Sequence, residues 1–586
     1  MTRSITTKPL LIALLGLSSL ALVAGCAGEE GERGDLGPEG PQGAPGTIDP
    51  NLSTLEKALL GTGGRVAITS MSGFSLEATG GRTLIGEGFA AGDGGVEAAT
   101  FTAAVHADLA NNNLRVDYVR QLGFGPVSQL TYSEIIEGDL GFISGSDSIL
   151  EAPGNSEEML SARLGSTRRQ QRLLNPHLIL RDIENDVDGV VTATEVGVAL
   201  HNGVIHELLE VSDPVQPLTL FVNASNGQIA KLTTRETDFL RRDVTIEYHY
   251  VGWQLVDDDV LFPRDVFIVK QGEVLHRERR SEVIVDPAFD GALFDLPSLS
   301  NPIFIPDDKA FGERSHQFFQ MFSGIGINID QVLDEESEVI DNEVSPGVFY
   351  LTGGSHHSLV VAYDDGVVII EAPLYPERSE AIIDWLDNLV DSDVPDKTIT
   401  HVIATHHHED HTGGLRTFAA LGAEIVLQEN SEAFFEKIFQ APSEITPDRL
   451  SMADPPVVPD FDTVPTDGTF ELRDDANALV LKAYHMRTTH SNDMLIVHLP
   501  AAGLVWNSDL WTPFPSFTFD PKGVALDPTN IIELHDAIQS LIITGDGGTV
   551  TGLVAGHGEV FPSGAQRGQG RVGPFQDLID AVTTDP

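Results

Sequence analysis

Between about Asn51 and Pro297 apolar and polar residues alternate, as in Leu114-Arg115-Val116-Asp117-Tyr118-Val119, Pro217-Leu218-Thr219-Leu220-Phe221-Val222 and Val244-Thr245-Ile246-Glu247-Tyr248-His249-Tyr250. A period of two places one face of a strand in a core and the other toward water. Leu261-Phe262-Pro263 and Val266-Phe267-Ile268-Val269 continue the series, and Asn226-Gly227 supplies a turn between neighbours. The pattern predicts a curved, mostly antiparallel sheet over residues 51–297. From residue 343 to 586 the pattern changes to short unbroken apolar runs, including Thr398–Thr405, Met494–Leu499 and Gly503–Asp509. Such runs predict buried strands, and Leu415, Phe418, Ala419 and Leu421 begin a short amphipathic helix. The chain is thus expected to carry an α/β domain behind a β-domain.

The remaining segments read differently. Residues 298–342 are rich in Pro and acid around Phe318-Phe319-Gln320-Met321-Phe322, a linker with one packed helix. Arg3 and Lys8 precede an apolar stretch from Leu10 to Leu22, too short to span a bilayer and typical of a secretory signal over residues 1–25. Over residues 26–50, glycine recurs every third position from Gly28 to Gly46, with Pro38, Pro41 and Pro45 between. That collagen-like period in so short a tract predicts an extended tether rather than a self-sufficient triple helix.

The formal net charge of −53 argues against a nucleic-acid partner, because phosphate backbones are bound by clustered cations. It favours a soluble surface whose self-repulsion salt would screen. The single cysteine, Cys26, excludes an intrachain disulfide.

The chemistry concentrates in Thr405-His406-His407-His408-Glu409-Asp410-His411-Thr412-Gly413-Gly414. His406 follows the strand-like run, so the His-x-His-x-Asp-His cluster sits at a strand end. In a tight loop His406 and His408 can face one side while Asp410 and His411 face another, which lets two metal centres share one loop. Imidazole and carboxylate donors suit zinc, and a catalytic zinc keeps a position open for water. Gly413 and Gly414 permit close backbone approach. One loop leaves two metals short of donors, and candidates follow downstream at further strand ends: His490, Asp509 and His557. Asp509 could instead cap a helix and His557, between glycines, could serve a turn. His356, His357, His401, His407, His485 and His498 read as structural or surface residues. Glu184 to Glu195 has the length of a calcium-binding loop, but its first residue is Glu and its flanks look like strand, so an acidic turn is expected.

The order of these segments resembles the metallo-β-lactamase fold superfamily, over roughly the C-terminal 240 residues. The resemblance implies an αββα fold in which His406, His408 and His490 hold one metal and Asp410, His411 and His557 the other, with Asp509 bridging. It also implies that Gly353–Val361 and Val367–Pro373 are opening strands. Glu371 stands where many members have Asp. No cysteine lies near Asp509, unlike the zinc β-lactamases with a cysteine ligand, and His490 lacks the Pro-Gly-His-Thr context of glyoxalase II-like members. The end of the β-domain, from Asn223 to Pro297, resembles the LolA-like lipoprotein-carrier fold, which implies an apolar ligand there or a β-domain that only shields or positions its neighbour. Val23-Ala24-Gly25-Cys26 resembles a bacterial lipobox. That implies lipidation of Cys26, with Ala27 pointing to the outer membrane and the lipid as the sole membrane attachment.

Together these readings imply an envelope-anchored hydrolase for a small-molecule substrate. Two zinc ions, with iron or manganese as alternatives, would activate a bridging hydroxide against an ester, thioester, lactone or amide-like bond. Asp410 is the candidate catalytic proton acceptor. Arg487 could meet an anionic group or face solvent. Two rivals are an iron-dependent persulfide dioxygenase-like enzyme and a non-catalytic, amphiphile-binding lipoprotein with a structural metal.

Overall fold

The computed structural model describes residues 48–123, 129–147, 157–159, 161–186, 189–213, 215–256, 259–297, 339–353, 356–389, 394, 396–474, 476–511, 528–557 and 572–583. The signal segment, Cys26, most of the tether and nearly all of the linker lie outside these residues. Among the described residues no helix is long and apolar enough to cross a membrane.

Thirteen antiparallel strands form the β-domain sheet. Each strand from Gly73–Leu84 to Glu157–Glu158 pairs with its successor, and so does each from Ala193–His201 to Glu273–Val285. The two series join where Gly73–Leu84 pairs with Glu273–Val285. The two apolar runs around Pro263 are one strand, Leu261–Lys270, in which Pro263 pairs with Trp253.

Alternation did not disclose Ser161–Leu174 and Pro176–Asn185, the helices that carry the chain from one sheet edge to the other. The first is rich in arginine, yet Arg163 and Arg169 are buried. Arg163 pairs with Glu134, and Thr167 Oγ1 donates to the same carboxylate at 3.0 Å. Arg169 pairs with Asp213 at 2.5 Å, Tyr250 Oη donates to Leu173 O at 2.5 Å, and Arg280 Nη2 to Leu174 O at 2.9 Å. Buried charges persist only when paired in this way.

The second half holds a seven-stranded and a six-stranded sheet. The first sheet starts at Ile340, inside the stretch assigned to the linker. Its strands Gly366–Ile370, Ile399–Ile403, Glu424–Gln428 and Phe461–Val464 run parallel, and the first three are largely buried because both faces are covered. Val368, Ile370, Ile403 and Val426 meet Leu481, Leu495, Val497 and Trp506 of the other sheet in one core. The outer face of the first sheet packs on Ile382, Leu386, Leu415, Phe418 and Phe435, and that of the second on Leu534, Ile538 and Leu578.

Two pieces of the β-domain reach into this half. The turn between Ile229–Asp238 and Arg242–Leu255 delivers Leu240, fully buried, into the apolar cluster of the first sheet and its helices. Beside it Arg242 Nε donates to Ser443 Oγ at 3.0 Å and Nη2 to Thr446 O at 2.8 Å, while Arg241 pairs with Glu409. The second piece is the loop from Ile85 to Gly95, closed by the pair Leu84↔Val96.

Candidate metal centre

Open α/β sheets present their ligand-binding groups beyond the carboxyl ends of their parallel strands. Here His406 follows Ile399–Ile403, Glu371 follows Gly366–Ile370, Asp509 follows Leu504–Trp506 and His557 follows Gly552–Val554. His490 precedes Leu495–Leu499. Strand ends from both sheets thus aim at one place. The His-rich loop turns into a single helical turn, Glu409–Thr412. Its return depends on glycine: a Cβ on Gly413 would lie 1.8 Å from Leu374 O, and one on Gly414 2.1 Å from Ser379 Oγ.

The structure gathers His406, His408, His490 and Asp509 into one donor group, and Asp410, His411 and His557 with His356 into another. Asp509 lies between them. Its Oδ2 is 3.2 Å from His490 Nε2 and 3.6 Å from His406 Nε2, while Oδ1 is 2.7 Å from His411 Nε2 and 2.9 Å from His557 Nε2. His406 and His490 present their Nε2 atoms 3.3 Å apart, and His411 and His557 theirs 3.1 Å apart. Donors sharing a tetrahedral metal at about 2.0–2.1 Å stand roughly 3.3 Å from one another. The buried Oδ1 of Asp410 accepts no hydrogen bond among the described residues. Spacing, donor type and this unsatisfied oxygen all fit divalent cations.

The charges agree. Burial first, and His411 next, hold His406 below the ordinary histidine range. Burial and the adjacent imidazoles hold His408 well below it, so both are neutral donors. At the other group burial opposes protonation, but Asp509, Glu371 and Asp410 raise His411 well above its usual range, and Asp509 raises His557. Without a metal, a proton answers the demand of these carboxylates. Asp410 itself is held well below the usual carboxylate range: burial alone would raise it, and His411 and His356 overcome that.

Three groups outside the expected donor set shape the site. Glu371 is fully buried behind it, with Oε2 taking the Nδ1 proton of His411 at 2.6 Å. Its Oε1 accepts from Ser508 Oγ at 2.5 Å, Thr405 Oγ1 at 2.6 Å and Trp506 Nε1 at 2.9 Å. Glu371 and Ser508 both sit at positive φ, 65° and 53°, strain of the kind found where function dictates the backbone. Through these bonds Glu371 orients His411. His356, read from sequence as structural, places Nε2 3.0 Å from Asp410 Oδ2 and is bridged through its backbone to His557. Sequence placed it inside the opening strand Gly353–Val361, whereas that strand starts at Ser358 and leaves His356 at its mouth. His407 is not among the grouped donors, and its Nδ1 meets Asp493 at 2.9 Å. Glu87, from the β-domain, stands beside His408 and Asp410, and nothing in its sequence context marks it. Arg487 is exposed and clamped to Asp467 at 2.7 and 2.8 Å. Cys26 lies outside the described residues.

No curated protein matches the chain. Among solved structures it is similar to DIM-1 metallo-beta-lactamase, at 14% identity over 42% of this chain and 95% of that one, with a TM-score of 0.28. The metallo-beta-lactamase from Pontibacter korlensis is 17% identical over 42% and 100%, with a TM-score of 0.27. That from Hirschia baltica is 13% identical over 42% and 95%, also at 0.27. A family match spans residues 351–490, which include His406, His408, Asp410, His411 and His490 and stop short of Asp509 and His557. Residues 351–490 belong to a Metallo-beta-lactamase superfamily domain.

Proposed function

We propose that the chain is a binuclear zinc-dependent hydrolase, held at the bacterial cell envelope through Cys26, that cleaves an ester, thioester, lactone or amide-like bond of a small molecule. The observation that carries this reading is Asp509, one oxygen of which faces each donor group. His406, His408 and His490 would hold one ion, and Asp410, His411 and His557 the other, with His356 adjoining. The two sheets with helices outside them support the αββα arrangement.

Bound divalent ions supply Lewis acidity toward a substrate oxygen and acidify water to near neutrality. Asp410, which is ionised and stands in donor groups with both His411 and His408, would accept the proton of the attacking water. His356 steadies Asp410 through Oδ2. Glu371 fixes the proton of His411 on Nδ1, which leaves Nε2 as the donor. For the β-domain we favour a positioning role over an apolar cradle, because the helix Ser161–Leu174 is tied to the sheet by buried ion pairs and hydrogen bonds.

Metal stoichiometry combined with a panel of ester, thioester, lactone, β-lactam and phosphodiester substrates tests the reading. Wild type should bind two zinc ions and turn over at least one class. Asp410→Ala should lose at least about 100-fold in kcat. Unchanged turnover in that variant, or one iron per chain without zinc, would reject the proposal.

A further inference from the structure

The wall of the metal centre above His408 is built by the other domain. His408 Nε2 is 3.0 Å from the carbonyl oxygen of Gly88, a separation of 320 residues in sequence. A carbonyl can only accept, so the imidazole proton sits on Nε2 and the lone pair on Nδ1. A metal-ligating histidine behaves this way, donating its other ring N–H to a backbone carbonyl that fixes tautomer and ring plane. The lone-pair nitrogen does not face empty space. Glu87 Oε2 stands 3.3 Å from it, and Glu87, His408 and Asp410 bring donor atoms within 4.8 Å of one another.

A lone pair and a carboxylate at that distance repel unless a proton or a metal ion lies between them, and a metal ion can take both as ligands. The separation of 3.3 Å is also that of two ligands on one zinc ion, by the same tetrahedral geometry as before. The loop is held in place on several sides. Asn492 N donates to Phe89 O at 2.8 Å, Gly86 packs so closely on Glu409 that a Cβ would lie 2.5 Å from its side chain, and Glu409 is itself paired with Arg241. Within the loop, Ala90 N donates to Asp93 Oδ2 at 3.0 Å.

We propose that Glu87 is a ligand, contributed by the β-domain, to the metal held by His406, His408 and His490, so that metal loading clamps the two domains together. This rests on the two-metal reading above. It means that a carboxylate from outside the metallo-domain joins the resting centre, and that the loop from Ile85 to Gly95 is ordered by the ion as well as by its hydrogen bonds.

The test uses the full-length protein stripped of metal and reloaded with zinc. A chromogenic chelator in competition reads the two zinc affinities, and hydrogen exchange reads protection of residues 85–95 with and without zinc. Wild type should bind two ions and gain protection in the loop. The near-isosteric Glu87→Gln should lose at least about tenfold in affinity at one ion only, and zinc should no longer protect the loop. His408→Ala marks which of the two affinities belongs to this centre. Affinities within twofold of wild type in Glu87→Gln would overturn the proposal while leaving the two-metal reading intact. Equal losses at both ions, or zinc protection that persists in the variant, would also overturn it. A wild-type protein that binds no zinc, or is indifferent to His408→Ala, would remove both the proposal and the reading beneath it.

Discussion

Replacing Glu371 with glutamine isolates the orienting role of a residue that touches no substrate. The native carboxylate accepts four hydrogen bonds, one on Oε2 from His411 and three on Oε1 from Thr405, Ser508 and Trp506. An amide has one oxygen. Turned toward the three donors, it sets its NH2 against the Nδ1 proton of His411; turned the other way, it faces three donors with a fourth. The first arrangement loses less and forces His411 either to rotate or to move its proton to Nε2, the atom 2.7 Å from Asp509. A charge-assisted hydrogen bond is worth about 1.5–3 kcal/mol. At about 1.4 kcal/mol per tenfold this gives a loss of roughly 10- to 150-fold in affinity for the metal at Asp410, His411 and His557. That range overlaps the 10- to 100-fold cost typical of outer-sphere partners of metal-bound histidine. Competition with a chromogenic chelator should therefore show one weakened zinc and one nearly unaffected, with the melting transition retained. Two unchanged affinities in a folded variant would refute the orienting role.

Two further outcomes follow from the fold. Leu240→Ala empties a fully buried site at the domain junction and should cost about 2–5 kcal/mol, so that calorimetry resolves separate transitions for the two halves. A single unchanged transition would mean that Leu240 does not couple them. In the β-domain, burial pushes His177 down to about 4, with its ring stacked on Phe262 and Nε2 2.7 Å from Leu261 O. The unfolded chain, with its histidine near 6.5, binds the proton first, so stability is full above that pH and falls by up to about 3 kcal/mol as pH drops toward 4. Urea titrations between pH 7 and 4 should show the fall and His177→Gln should make it shallower, the remainder coming from other buried histidines such as His276; an equal slope in the variant would exclude His177 as a source.

How much of this could be read from sequence depends on whether the constraint was local. The His-x-His-x-Asp-His cluster was legible because its residue types are rare and their spacing is set by one loop, and His490, Asp509 and His557 because each follows or precedes a recognisable apolar run. The thirteen-stranded sheet was legible as alternation but not as topology, since the pairing of Gly73–Leu84 with Glu273–Val285 leaves no mark on either segment. Helix Ser161–Leu174 was hidden by its arginines, which signal a solvated face unless the buried Glu134 and Asp213 are known to be opposite. Glu371, His356 and Glu87 act through space on residues 40, 54 and more than 300 positions away, and a sequence pattern has no term for that.

The β-domain grips the His-rich loop from two sides, with Arg241 on Glu409 from one turn and Gly86 to Gly88 on Glu409 and His408 from another. Synthesis runs from the amino terminus, and domains fold as units in that order. The turn that carries Arg241 therefore exists before residues 406–411 leave the ribosome, and the His-rich loop is delivered onto that part of its mould, while the loop from Ile85 to Gly95 sets as it meets His408, Glu409 and Asn492. An excised metallo-domain would have to shape that loop without its mould, which makes the isolated half a poor stand-in for the whole in any search for substrates or inhibitors.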